Sequence, residues 1–202
     1  RGSGVDVDYY KREKQIKKID TEKTINIFFP SRIIKEKGVI ELVEACQSLV
    51  DDNIDLHLYI PSDLSFHNRS FLTKKEMDKL KNKSWIKLTG QLSDLKPLYE
   101  NSHIVILPSW REGLSMALLE ASSMECTIIT TNVPGCNDIV KHGESGLIVP
   151  PNDSVSIRLA ILFLINNPEI SEKLGTNARI STIKHFNSEI VISQTMRLYE
   201  KL

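Results

Sequence analysis

The sequence predicts an α/β fold, a doubly wound parallel sheet covered by helices. Three observations carry that prediction. Short β-branched or apolar segments alternate with helical patterns from residue 24 to residue 149, an order that gives parallel strands joined by right-handed crossovers. The segment CTIITT at 126–131 is apolar too continuously to be half exposed, as a strand buried on both faces is. A length of 202 residues suits one sizeable domain with terminal extensions and is awkward for two.

Residues 1–23 carry glycine and charge with little periodicity and read as a linker. TINIFF at 24–29 is the first strand, closed by Pro30. GVIELVEACQSLV at 38–50 spaces Val39, Leu42, Val43, Cys46 and Leu49 or Val50 along one helix face. IDLHLYI at 54–60 reads as a strand, FLTKKEMDKLKN at 71–82 as a polar surface helix, and WIKLTG at 85–90 as a strand. DLKPLYEN at 94–101 is a short helix capped by Asp94, HIVILP at 103–108 a strand, and GLSMALLEASSM at 113–124 the central helix. After the strand at 126–131, VPGCNDIV is a turn opening a short helix, and Gly143 and Gly146 flank the approach to a last strand at 147–149. Helices at 154–167, 169–186 and 188–202 follow. Ligands of such sheets sit at the carboxyl ends of the strands. Residues 30–37, 61–63, 90–94 and 108–115 are therefore expected to meet at one edge.

Lys plus Arg equals Asp plus Glu at 26 each, so no global field draws the chain to nucleic acid or an anionic bilayer. Any anion site must be local. Cys46, Cys126 and Cys136 lack a CxxC spacing and read as small core fillers in a reducing compartment. No apolar run approaches the roughly 20 residues of a membrane span. No signal peptide precedes Arg1, and RGSGVDVDYYKREKQ reads as the middle of a longer protein.

The chemistry concentrates in two stretches. In PSWREGLSMALLE at 108–120, Glu112 precedes a helix start and Glu120 lies eight positions on, about 12 Å along an ideal helix. An extended ligand across the helix N-terminus could reach both, and such a terminus suits a phosphate flanked by sugar hydroxyls. Glu120 sits in the apolar run ALLEASSM, where a buried carboxylate needs a partner. A ligand hydroxyl is one such partner, and a place on the helix surface is the alternative. In PSRIIKEKG at 30–38, Arg32 and Lys37 could clamp a diphosphate, the first as a fork and the second as a point charge. Two solvated loop charges are the alternative.

Other patterns are set aside. The Asp-x-Asp of VDVD at 5–8 precedes any strand and reads as structural. No GxGxxG follows a strand and no GxxxxGK[ST] is present, which argues against a dinucleotide-dependent dehydrogenase and a P-loop hydrolase. His57, His67, His103, His142 and His185 have no metal-ligand spacing, and KKEMDKLKNK reads as a solvated helix face.

SGVD, SR followed by KEKG, LTGQLSD, LPSWREGLSMALLEA and HGESGLIVP resemble, in that order, the nucleotide-binding half of retaining family-4 glycosyltransferases of the GT-B fold. The resemblance runs from about residue 3 to the C-terminus, and the Glu-x7-Glu element with an Arg-x4-Lys upstream is its most specific part. It implies a Rossmann-like donor domain at 24–187, an interdomain linker at 1–23, and a last helix at 188–202 packing partly on an absent N-terminal domain. By the same resemblance Arg32 and Lys37 bind the donor diphosphate, Glu112 contacts the donor sugar and supports the transition state, and Gly113, Leu114 and Ser115 meet phosphate and sugar through their backbone. Glu120 holds the ribose and Leu92 lies against the base. The implied reaction moves a sugar from a UDP- or GDP-sugar to a saccharide or lipid-linked acceptor with retention, without a cofactor or required metal.

The implied setting is bacterial surface polysaccharide or lipopolysaccharide synthesis in the cytoplasm, with the full-length enzyme associating peripherally with the inner face of the membrane. The fragment alone is expected to bind donor without turnover. A non-catalytic sugar-nucleotide-binding module of an assembly complex is the alternative. A phosphorylase of this fold would carry a pyridoxal lysine, for which there is no signal. The sequence departs from the family's usual pattern at Ser31, Pro61, Ser62, Glu125 and Thr127, where glycine or proline is common.

Overall fold

The computed structural model describes residues 4–13, 19–20, 23–61 and 72–199. Its strands are β1 (Ile25–Phe28), β2 (Leu56–Ile60), β3 (Ile86–Leu88), β4 (Ile104–Leu107), β5 (Thr127–Thr131) and β6 (Leu147–Val149). Its helices are α1 (Val39–Asp51), α2 (Lys74–Lys81), α3 (Lys96–Asn101), α4 (Met116–Ser123), α5 (Ser154–Asn166), α6 (Pro168–Phe186) and α7 (Ser188–Tyr199). Residues 62–63 of the expected ligand edge, residue 71 of the expected second helix and residues 200–202 of the last one lie outside the described residues.

The six strands form one sheet in the order β3-β2-β1-β4-β5-β6, every neighbouring pair parallel. This is the predicted doubly wound α/β sheet, Rossmann-like, with its order reversing between β1 and β4. All of β4 and β5 is buried, as strands with helices on both faces require. Ile27, Phe28, Ile104, Ile106, Ile128 and Ile129 make the centre of the core. Complete burial of each such side chain contributes about 1.5–3 kcal/mol. Helix α1 packs on α5 and α4 on α6. Cys46, Cys126 and Cys136 are all buried free thiols, the small fillers expected of them.

Local chemistry explains three boundaries that differ from the sequence reading. The central helix starts at Met116 rather than Gly113 because Ser115, with extended backbone, caps it by accepting from Leu118 N. Residues 133–140 form successive turns instead of a short helix, with Gly135 at φ 81° among them. Helix α3 begins at Lys96, and Asp94 still serves its start by accepting from Lys96 N at 2.9 Å. Helix α2 is fixed by a capping box between Thr73 and Glu76.

Residues 4–13, within the stretch read as a linker, lie on the domain. Val5 N donates to Phe186 O at 2.8 Å and Ser188 N to Val5 O at 3.0 Å. Val5 and Val7 are buried while Asp6 and Asp8 are exposed. Asp6 Oδ1 accepts from the backbone of Asp8 and Tyr9, so the Asp-x-Asp pattern includes a turn-forming aspartate. Among the described residues no helix is long and apolar enough to cross a membrane.

Candidate functional site

The loops that leave β1 and β4 run side by side at the carboxyl ends of these strands, where the sheet order reverses. A crevice at such a point is where open parallel sheets take their ligands. Three contacts hold the two loops together. Gly38 approaches β4 so closely that a Cβ would stand 2.1 Å from the Pro108 carbonyl oxygen, and its φ of 74° favours glycine as well. Trp110 N donates to Glu36 O at 2.9 Å. Lys37 Nζ donates to Glu112 Oε2 at 2.5 Å.

Glu112 is braced from two further directions. Ser109 Oγ donates to the same carboxylate oxygen at 3.0 Å, and Ser109 is fully buried, its carbonyl accepting from Thr131 Oγ1 at the end of β5. On the other side, the turn after β5 brings Gly135 against the backbone of Glu112 and Gly113. A Cβ on Gly135 would stand 1.7 Å from Gly113 O. Side-chain exposure of 24% for Lys37 and 14% for Glu112 leaves the ion pair largely shielded. Removing one partner therefore strands a partly desolvated charge. Cys136 lies beside this pair, its thiol pushed up first by burial and further by the Glu112 charge.

Arg32, from the same loop as Lys37, is exposed, and its side chain makes no hydrogen bond or ion pair to a described residue. Gly113 is exposed with open space where a Cβ would stand, Leu114 packs partly against the core, and buried Ser115 caps α4. This segment is thus loop, ending at a capped helix start whose free N–H groups carry partial positive charge.

The structure does not pair Glu120 with Glu112. Glu120, on α4, is held instead by Tyr99 of α3, whose Oη donates to its Oε2 at 2.9 Å. The half-buried carboxylate thus has a partner within the protein, beside the ligand hydroxyl and the helix-surface position between which the sequence left it open. Burial raises the Glu120 pKa, hydrogen bonds from Tyr99 and then Tyr10 counter the rise, and the charge of Asp94 adds to it. Leu92 is exposed in the loop after β3, between Gly90 and Asp94. Sequence reasoning missed Ser109, Tyr99 and Tyr10. Only the alternating burial of Val5 and Val7, legible as period two in VDVD, hinted that the first residues belong to the domain.

Residues 11–181 match the family described as Glycosyl transferases group 1. The chain is 29% identical over 193 residues to the capsular polysaccharide biosynthesis glycosyltransferase CapM of Staphylococcus aureus, covering 96% of this chain and 50% of that protein. Among solved structures it is similar to HepE of Anabaena in complex with UDP-glucose, with a TM-score of 0.85, 18% identity, and coverage of 98% of this chain and 56% of the other. It is also similar to the C-terminal domain of a glycosyl transferase group 1 family protein, LpcC, from Francisella tularensis, with a TM-score of 0.75, 24% identity, and coverage of 91% and 99%. The two structural likenesses show the fold. The chain spans about half the length of the curated relatives it matches.

Proposed function

This chain belongs to the glycosyl transferases group 1 family, and from that premise we propose that it is the donor-binding domain of a retaining glycosyltransferase that takes its sugar from a nucleotide diphosphate sugar. One observation carries the reading: Lys37 and Glu112 meet across the switch point with Arg32 on the same loop. Breaking a sugar–phosphate bond develops negative charge on the departing diphosphate and positive charge at the anomeric carbon. Lys37, held by Glu112, and the start of α4 are preorganised for the first, and Arg32 stands exposed on the same loop to join them. Glu112, fixed by Ser109 and Lys37, supplies a carboxylate for the second and for the sugar hydroxyls. Glu120 takes the ribose hydroxyls, and Leu92 the face of the base.

The positive charge comes from side chains, so the reading requires neither metal nor cofactor. The complex of the structurally similar HepE with UDP-glucose supports UDP as the first nucleotide to try. The name of CapM supports a place in bacterial surface polysaccharide synthesis. In this reading the full-length enzyme binds a saccharide or lipid-linked acceptor outside the present chain, works on the cytoplasmic side of the membrane with peripheral attachment to it, and the chain alone binds donor without turnover.

Calorimetric titration of UDP, GDP and ADP into the chain tests the proposal. Binding of one of them, weakened in both Arg32→Ala and Lys37→Ala, is the expected result. Wild-type affinity in both variants sinks the clamp. Donor hydrolysis or sugar transfer by the full-length protein separates an enzyme from a binding-only module, which would show neither.

A further inference from the structure

We propose that Tyr10 and Tyr99 are positioning residues for the Glu120 carboxylate, so that the segment ahead of β1 is a working part of the donor site. The inference rests on the reading of Glu120 as the ribose-binding carboxylate. A glutamate on a helix surface has rotatable bonds to spare, and holding two ribose hydroxyls requires its oxygens in one orientation. Tyr99 supplies one restraint. Its hydroxyl is 2.9 Å from Glu120 Oε2 and 3.2 Å from the Ala117 carbonyl. A phenol has a single proton, and the shorter, charge-assisted bond to the carboxylate takes it. The Tyr99 ring is fully buried and stands edge-on to Phe28 with centroids 5.0 Å apart, so it cannot swing away.

Tyr10 supplies the other restraint, from a segment remote in sequence. Its ring stands edge-on to Tyr99 at 6.4 Å, and burial, then the charge of Glu120 beside it, raises its phenol pKa. The backbone carbonyl of Tyr10 accepts from Ser123 Oγ at 2.7 Å and from Arg179 Nη1 at 3.1 Å. Arg12 staples the next turn of chain to two helix ends, donating from Nε to Met124 O at 2.8 Å after α4 and from Nη1 to Glu100 O at 3.0 Å near the end of α3. Carbonyls at helix C-termini lack intrahelical partners and favour a cation. The segment is therefore seated by groups on α3, α4 and α6, and seating it sets the Tyr10 ring against Tyr99, the residue that holds Glu120.

The titratable groups that face Glu120 are Tyr99 on α3, Tyr10 on the N-terminal segment, and Asp94 before α3. Burial and Asp94 raise the Glu120 pKa, while the two phenols lower it. Loss of a phenol hydroxyl therefore favours the protonated carboxyl, which is a poorer acceptor for ribose hydroxyls. A tyrosine with a merely structural role would change stability and leave the pH dependence of nucleotide binding alone.

The test is UDP affinity of the whole chain between about pH 5 and about pH 8, for the parent, Tyr10→Phe, Tyr99→Phe, Glu120→Gln and the double variant Tyr10→Phe/Glu120→Gln. Each phenylalanine variant is expected to weaken UDP about threefold to tenfold near neutrality, one hydrogen bond's worth, and to move the acid limb of binding to higher pH. In the Glu120→Gln background, Tyr10→Phe should cost nothing more. Parent-like binding by both phenylalanine variants, or a Tyr10→Phe loss that adds in full to that of Glu120→Gln, overturns the proposal. If Glu120→Gln itself binds UDP as the parent does, the ribose reading has failed instead. Tyr10 lies outside the regular elements, so its variant decides the matter even if Tyr99→Phe fails to fold.

Discussion

Replacing Gly135 by alanine isolates the close approach that braces the Glu112 loop. Gly135 has φ 81°, and Gly143, away from the site, has φ 74° with no heavy atom within 4 Å of a built Cβ. Both positions charge an alanine about 1–2 kcal/mol for left-handed backbone. At about 2–4 °C per kcal/mol for a domain of this size, Gly143→Ala should lower Tm by about 2–8 °C. At Gly135 the new Cβ also lands 1.7 Å from Gly113 O, 2.5 Å from its carbonyl carbon and 2.9 Å from Glu112 O. All three are backbone atoms, and a normal carbon–oxygen contact needs about 3.3 Å or more. The Gly113 peptide must retreat by roughly 1.5 Å, and the 2.5 Å bond between Lys37 and Glu112 cannot be maintained through such a shift without a new rotamer. The measurements are thermal melts of both variants and UDP titration of each. Gly135→Ala should melt lower than Gly143→Ala and lose UDP binding while Gly143→Ala keeps it. Equal melting temperatures with parent-like UDP affinity for Gly135→Ala would refute the reasoning.

The remaining predictions address charge, pH and backbone. Lys37→Ala and Arg32→Ala should each weaken nucleotide diphosphate binding by about 1–3 kcal/mol, one charged hydrogen bond, with addition of a chelator leaving parent affinity unchanged; calorimetry reads both. Burial holds the Glu120 carboxyl above the ordinary carboxylate range, so the folded chain binds that proton more tightly than the unfolded chain. Its effect on stability is unfavourable once pH rises from the ordinary carboxylate value through the folded one, and absent in acid. Glu120→Gln should therefore melt higher than the parent at about pH 7, with the gap closing toward about pH 4; a gap that widens in acid contradicts this. Glu125 adopts φ 57° just after α4, a conformation glycine takes more readily. Glu125→Gly should be neutral to stabilising by up to about 1 kcal/mol even with its contact to Arg179 removed, and a melting temperature several degrees lower would contradict it.

The fold was legible where burial is simple. Continuous apolar runs such as IVIL and TIITT identify buried parallel strands because nothing polar interrupts them, and the alternation with helices fixes the sheet as parallel. Helix starts were less legible: Ser115 is a good capping residue, yet the apolar run seemed to begin at Gly113, and only the cap hydrogen bond settles the start at Met116. At the site, residue types and spacing pointed to Arg32, Lys37, Glu112 and Glu120, but spacing along the chain carries no information about who pairs with whom. That Lys37 reaches Glu112 rather than standing free follows from the β1–β4 adjacency. That Glu120 has Tyr99 for a partner follows from α3 lying against α4's carboxylate. Tyr10 was invisible for a different reason: residues 4–13 are held by arginine-to-carbonyl bonds, which leave no periodicity in sequence.

A crystal structure of the chain with UDP bound tests the central claim most directly. Its β-phosphate should lie within hydrogen-bond reach, about 3 Å, of Lys37 Nζ or the Arg32 guanidinium, at the crevice between the β1 and β4 loops, with the ribose hydroxyls on Glu120. A diphosphate seated elsewhere on the chain, or one in the crevice that touches neither cation, contradicts it.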